Sequence, residues 1–155
     1  MSIERDGVIY SDDMTTLIKY PETKEDAFVI PKEVRCIGPE AFCMCSKLTA
    51  IKFPTWLSKI STGAFGGCVN LEKIEFAEDS HLKTIETEAF LGCKALGSIQ
   101  LSDSVLVIED AAFSGCEKME KALLPHHCKM HVDAFDSEFT EVIRYRKKSI
   151  KCHCS

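Results

Sequence analysis

Apolar side chains recur along the chain at fixed positions within units of about 23 residues. An Ala-Phe pair occurs at 41–42, 64–65, 89–90, 112–113 and 134–135, with spacings of 23, 25, 23 and 22 residues. Around the pairs the same apolar positions return: an Ile before the pair, then a Cys, a Leu, an Ile and a final Phe or Leu. Such a period is typical of repeat solenoids, in which each unit buries its apolar side against its neighbours.

Two spacings inside the unit predict its local structure. Ile99 and Leu101 are two residues apart, which is the period of a strand with one buried face. Phe90, Cys93 and Leu96 are three residues apart, which predicts a short helical turn. A further inward column predicts a second, minor strand before that turn. Its members are Ile37, Ile60, Ile85 and Ile108.

Four of the nine Cys occupy one equivalent position in the repeat: Cys45, Cys68, Cys93 and Cys116. The N-terminal `MSIERDGVIY` has acidic residues and no apolar segment of a secretory signal, which predicts a cytoplasmic chain with reduced thiols. Free Cys packs as a small hydrophobe. We therefore expect these four Cys to be core residues.

The repeated phrase resembles that of the BspA-like leucine-rich repeat proteins, I-x-x-x-A-F-x-x-C-x-x-L-x-x-I-x-[FL]-P. The first clear unit matches at Ile37, Ala41, Phe42, Cys45, Leu48, Ile51, Phe53 and Pro54. Further copies run from Ile60 to Phe76, from Ile85 to Leu101 and from Ile108 to Pro125. The resemblance implies an α/β fold: a right-handed leucine-rich repeat solenoid of short parallel strands and short helical turns. It also implies a surface or adhesion role, with display on the cell surface.

The chain is predicted to contain three regions. Residues 1–24 form an N-terminal β-hairpin cap, because `GVIYSDDMTTLIKYP` has two apolar runs around a polar turn. Residues 25–145 form the solenoid, with four clear repeats and partial units at both ends. In the last unit Glu138 replaces the repeated Cys, which predicts a partly open terminal repeat. Residues 146–155 form a basic, Cys-containing tail.

Charge and motifs exclude several functions. The net charge is −5; residues 141–155 have five basic groups and one acidic group, so the other 140 residues carry −9. An acidic body argues against nucleic-acid binding, which needs a basic surface. The sequence contains no G-x-S-x-G, P-loop or H-E-x-x-H motif. We predict neither catalysis nor a cofactor.

The C-terminal His and Cys residues suggest two roles. Zinc-competent ligand types occur at His126, Cys128, His131, Cys152, His153 and Cys154. Their spacing matches no C-x-x-C pair, so an inter-repeat loop and a solvated tail are favoured and no metal is predicted. Cys152 begins the last four residues and Ser155 ends them, which outlines a prenylation box behind a basic segment. Cys152 is thus a candidate for lipidation and membrane tethering, with a solvated tail as the favoured alternative.

The residues that the repeat leaves free predict a surface for a protein partner. They lie beside the inward strand positions and are Lys52, Lys73, Glu75, Ser98, Gln100, Lys121, Leu123 and Arg144. Lys52, Lys73 and Lys121 are predicted to form a basic stripe across the acidic body. Trp56 lies outside the repeated positions and is a candidate partner anchor. The alternative is a solvated sheet surface.

Two functions follow. The first is a non-catalytic protein-binding module of surface or adhesion type. The alternative is an intracellular scaffold that is tethered to a membrane through its basic tail. The identity of the partner and the oligomeric state stay open.

Overall fold

The computed structural model describes residues 1–147, which contain fourteen strands and no helix. No segment of these residues is a helix long and apolar enough to cross a membrane. In chain order the strands are β1 Ser2–Arg5, β2 Val8–Ser11, β3 Thr16–Lys19, β4 Asp26–Val29, β5 Cys36–Ile37, β6 Leu48–Phe53, β7 Lys59–Ile60, β8 Lys73–Phe76, β9 Thr84–Ile85, β10 Ile99–Gln100, β11 Val107–Ile108, β12 Lys121–Pro125, β13 Lys129–Met130 and β14 Glu141–Tyr145.

The largest sheet has the order β1-β2-β3-β5-β7-β9-β11-β13. From β3 onward its strands are parallel and advance by one repeat, so the chain winds as a right-handed solenoid of about six turns. Ile37, Ile60, Ile85 and Ile108 are in register across this sheet and fully or almost fully buried. The predicted Ile column is confirmed, and it belongs to the larger sheet of the solenoid.

The second inward column forms two smaller parallel sheets, β4-β6-β8 and β10-β12-β14. A backbone hydrogen bond from Gly97 N–H to the Glu72 carbonyl, 3.2 Å long, joins the two blocks, but β8 and β10 do not pair. The break lies where the Ala-Phe spacing is 25 residues rather than 23. We refer to the two sheets as the N-terminal block and the C-terminal block.

The segment around each Ala-Phe pair is a series of tight turns, so the predicted helical turns are wrong. Glu40 and Met44, which flank the first pair, have φ of 54° and 61°, and equivalent residues in the next three repeats are also left-handed. A left-handed residue interrupts an α-helix. The Phe42 N–H therefore donates to Ala64 O in the next repeat, while the Cys45 N–H closes a turn onto Phe42 O. Alternate amides thus join consecutive repeats.

Aromatic rings and thiols fill the core between these layers. Tyr20, Phe42, Phe65, Phe90, Phe113 and Phe135 stack in one column, with centroids of successive rings 4.6–5.0 Å apart. Beside them the thiol of each repeated Cys donates to the carbonyl of an aromatic residue one repeat earlier. The Sγ–O distances are 3.0 Å for Cys68–Phe42, 3.1 Å for Cys93–Phe65 and 3.4 Å for Cys116–Phe90. The Cys column is therefore a core feature, as predicted.

The N-terminal edge of the largest sheet is covered by an antiparallel unit. β2 and β3 form the hairpin that the sequence indicated, and β1 adds a third strand outside it. Between β2 and β3 the Asp13 carboxylate accepts hydrogen bonds from the hydroxyls of Ser11 and Thr15 and from the Thr15 amide. These bonds hold the turn in place at the tip of the hairpin.

Side chains bind backbone groups in the last described turns of the solenoid. The Gly115 amide donates to the Asp136 carboxylate at 2.7 Å, whereas the equivalent Gly92 amide donates to a backbone carbonyl, Ser114 O. Thr140 Oγ1 donates to Met119 O at 2.7 Å. Glu138 is exposed, as its charge led us to expect. Polar side chains thus satisfy backbone groups in the last turns of the described residues.

Candidate interaction surface

The outward residues of the two small sheets form two rows. Register pairing places Ala50 beside Lys73 in the first row, and Lys121 beside Glu141 at its far end. In the second row Val29, Lys52 and Glu75 are consecutive neighbours. The second row continues in the C-terminal block with Gln100, Leu123 and Ile143. The two rows are the outward positions of the strands, and the gap between β8 and β10 interrupts both.

The predicted basic stripe does not exist as one row. Lys52 belongs to the second row and Lys73 to the first, and Lys121 lies in the other block. Within residues 1–147 neither Lys52 nor Lys73 forms an ion pair, although Glu75 is the register neighbour of Lys52. Two of the three lysines therefore lie in the N-terminal block and the third in the C-terminal block.

Arg144 does not lie in either row. Register pairs it with buried Leu124, and Ile143 takes the outward place beside Leu123. The Arg144 guanidinium donates to the carbonyls of Pro125, at 3.2 Å, and Cys128. Arg144 is thus part of the C-terminal end structure, because the last turn is three residues shorter: Lys121 pairs with Glu141, 20 residues on, whereas Ala50 pairs with Lys73, 23 residues on. Ser98 is also engaged, since its hydroxyl accepts from the Lys121 amide at 3.0 Å.

The N-terminal block carries a groove formed by two adjoining hollows. One, of about 140 Å³, lies over the strands and includes Ala27, Ala50 and Lys73 in its wall. The other, of about 440 Å³, lies over the loops that follow the strands and includes Pro31 and Pro54. Both include Val29 and Lys52. We call the pair of hollows the N-terminal groove.

The sizes of the outward side chains create this groove. The first row has Ala27 and Ala50 near its start, whereas Lys73, Lys121 and Glu141 fill it further along. Val29 opens the second row with 67% of its surface exposed, which is unusual for a branched apolar side chain. Small and apolar residues therefore form the floor, and long polar side chains form the rim.

Trp56 presents an aromatic surface beside the groove-lining Thr55. Its indole stacks on the His81 imidazole with centroids 4.0 Å apart, and half of the Trp56 surface remains exposed. The His81 Nδ1 lies 3.3 Å from Thr55 O. Trp56 thus bridges two repeats, and the role of partner anchor that the sequence suggested stays a prediction.

The zinc-competent residues do not converge in the described part of the chain. Cys128 is buried, with its thiol donating to Lys129 O, whereas His126 is exposed. His131 lies instead with Asp110 and Asp133, which are not among the predicted ligands. The ligand atoms of these three residues lie within 4.8 Å of one another, and all three residues are exposed. The His131 Nδ1 accepts a hydrogen bond from the Asp133 amide at 3.0 Å. Cys152, His153 and Cys154 lie outside the described residues, and so does the predicted lipidation of Cys152.

Comparison with known proteins identifies the repeat. The profile of the BspA type leucine rich repeat region matches residues 20–140 in six copies. The chain belongs to the BspA-type leucine-rich repeat family. The resemblance inferred from the Ala-Phe-x-x-Cys phrase is therefore confirmed, and the family match includes the partial units at both ends of the four clear repeats.

Solved structures of bacterial proteins are similar over most of this BspA-type chain. The pneumococcal vaccine antigen PcpA has a TM-score of 0.78 and 26% identity over 94% of this chain and 37% of its own. A leucine rich cell surface protein from Faecalibacterium prausnitzii has a TM-score of 0.79 and 30% identity over 96% of this chain and 40% of its own. A leucine-rich repeat protein from T. pallidum has a TM-score of 0.70 and 26% identity over 84% of this chain and 62% of its own. The chain spans less than two thirds of each of these proteins. No curated protein matched the chain.

Proposed function

We propose that this chain is a non-catalytic protein-binding module of surface-associated or adhesion type, and that it binds through the outward rows of its small sheets. The observation that carries the proposal is that the inward residues of the strands repeat from unit to unit, whereas the outward residues vary. Inward positions such as Ile51 and Phe53 repeat and are buried, whereas the outward neighbour Lys52 differs from its equivalents Glu75 and Gln100. Residues that the core does not specify are the ones available for a partner.

The surface-associated part of the proposal is supported by the similar proteins. One is described as a cell surface protein and another as a vaccine antigen. Both are similar over nearly the whole of this chain, at 26–30% identity. Surface biotinylation of intact cells tests the location: labelling of Lys side chains in intact cells supports it, and labelling only after lysis contradicts it.

A pull-down with the folded protein tests the binding face. The variant Lys52→Glu/Lys73→Glu/Lys121→Glu reverses three charges on the outward rows. The matched control Lys59→Glu/Lys83→Glu/Lys129→Glu makes the same charge change on or beside strands of the largest sheet. We expect partner recovery to fall for the first variant and to persist for the control. Equal recovery of the partner by both variants would show that the outward rows are not the binding surface.

A further inference from the structure

The N-terminal groove differs in charge from the body of the protein. Lys32, Lys52 and Lys73 line it, with Glu75 as the one acidic side chain among its lining residues. The first 140 residues as a whole carry −9. A cationic hollow on an acidic body attracts an acidic ligand and repels a basic one.

The floor of the groove is apolar and close to a free strand edge. Ala27, Ala50 and Val29 provide apolar surface, and the prolines of the adjoining loops extend it. β4 ends its three-stranded sheet: within residues 1–147 it pairs with β6 only, because the N-terminal hairpin extends the other sheet. An exposed edge strand provides a row of main-chain groups that an extended chain can pair with.

We propose that the N-terminal groove binds an extended, acidic segment of a protein partner, with carboxylates on the lysine rim and an apolar side chain on the alanine floor. The inference rests on the proposed function and assigns it to the N-terminal block. An extended backbone suits the edge of β4, the carboxylates suit Lys52 and Lys73, and the hollow over Ala50 accommodates one apolar side chain. A basic segment lacks the carboxylates, and a purely polar one lacks the apolar side chain.

Selection of a random-peptide display library on the immobilised full chain tests the proposal. We expect the enriched peptides to combine Asp or Glu with a branched apolar residue. Synthetic peptides of the enriched sequence then provide the probe. Their affinity is expected to fall with rising salt, because rim contacts are exposed to solvent. Hydrogen exchange should slow across residues 26–30 when the peptide binds.

Matched variants locate the site. Lys52→Glu/Lys73→Glu should weaken peptide binding by about tenfold or more, since each reversal replaces an attraction by a repulsion. Lys94→Glu/Lys118→Glu makes the same charge change at exposed positions outside both outward rows and should leave binding unchanged. Ala50→Gln fills the hollow without a charge, at a position where the register neighbour Lys73 already has a long side chain, and should also weaken binding. Thermal unfolding confirms that each variant is folded.

Three results would overturn the inference: no enrichment, enriched peptides without acidic residues, or unchanged binding by both groove variants. Phosphatidylserine-containing vesicles that compete with the peptide would assign the lysines to a membrane, and peptide-blocked self-association would assign the groove to a second copy. Either result also overturns it. If the pull-down partner depends on the outward rows while the library result is negative, the binding function stands and only the groove assignment fails.

Discussion

The thiol of Cys93 donates a hydrogen bond to the main-chain carbonyl of Phe65, with Sγ and O 3.1 Å apart. The same carbonyl accepts the Cys68 amide at 3.2 Å, so one acceptor joins a turn within a repeat to the side chain of the next repeat. A Cys at this position therefore serves as a small apolar residue and also as a weak donor. This second role explains why the position recurs as Cys in four repeats.

Replacement of Cys93 separates the two roles. Cys93→Ala removes the sulfur and its hydrogen bond, and we expect a loss of about 1–2 kcal/mol in the free energy of unfolding. Cys93→Ser keeps a donor near Phe65 O, so its loss should be about 1 kcal/mol or less. Urea denaturation measures both, with half-buried Cys43→Ser as a control near zero. A larger loss for Ser than for Ala would show that the acceptor is not used.

The repeated thiols should resist alkylation in the folded protein. Burial raises the pKa of Cys45 and of Cys116 to about 12, so almost no thiolate forms at pH 8. Among the seven Cys of residues 1–147, we expect iodoacetamide at pH 8 to modify the half-buried Cys36 and Cys43 first and the four repeated Cys only as fast as the chain unfolds. Peptide mapping by mass spectrometry gives the order. Early modification of Cys116 would contradict its burial.

The aromatic column predicts a large loss for one truncation. Phe90 is fully buried between Phe65 and Phe113, with both ring centroids 5.0 Å away. Phe90→Ala leaves a cavity in the middle of the column and should cost about 3–5 kcal/mol in the free energy of unfolding. The neighbouring Leu91 is exposed, so Leu91→Ala serves as the control in the same denaturation series and should change stability little.

The core could be predicted from the sequence because it repeats. Phe90, Cys93 and the Ile85 column are fixed by periodicity, and each is buried as expected. The turn conformation was missed, although `GAFGGC` contains its signal: Gly63 and Gly67 occupy the two left-handed positions, at φ of 64° and 74°. Spacing of three suits both a helix and a series of tight turns, and only the backbone angles distinguish them.

The surface was harder to predict, because nothing in the core specifies it. Adding the 23-residue repeat to Lys52 gives Glu75, not Lys73, so the sequence held the evidence against a single basic stripe. The register of Arg144 could not be derived in this way, since the last connection is shorter than the others. The groove depends on side-chain size at Ala27 and Ala50, which periodicity does not describe.

The hairpin turn should lose a stabilising contact in acid. Hydrogen bonds from Ser11 and Thr15 lower the pKa of Asp13 to about 2, below the ordinary value near 4 that we expect in the unfolded chain. A group whose pKa is lowered by folding contributes stability above its unfolded pKa, and this contribution is lost as the pH falls toward 2. Asp13→Asn should therefore be less stable than wild type at pH 6 and nearly equal to it at pH 2. Urea denaturation at both pH values measures the difference, and an equal loss at pH 6 and pH 2 would contradict this role of the carboxylate.

The last described turns of the solenoid depend on the Asp136 side chain. Its carboxylate accepts the Gly115 amide at 2.7 Å and the Ser114 hydroxyl at 3.3 Å. Asp136→Ala leaves the Gly115 amide without this partner and should cost about 1–2 kcal/mol, in the range of a lost helix cap. Asp136→Asn keeps a carbonyl oxygen and should cost less, and Glu138→Ala, at an exposed site, should be nearly neutral.

Hydrogen exchange distinguishes a local effect of Asp136→Ala from a global one. The Gly115 amide should exchange faster in the variant. The Gly67 amide lies two repeats before Gly115 and donates to Leu91 O; it should exchange faster only to the extent that global stability falls. In a solenoid each repeat contacts only its neighbours, so damage at one end should fade along the stack. Unchanged exchange at Gly115 would show that solvent replaces the carboxylate without loss and that Asp136 is not needed at this end of the solenoid.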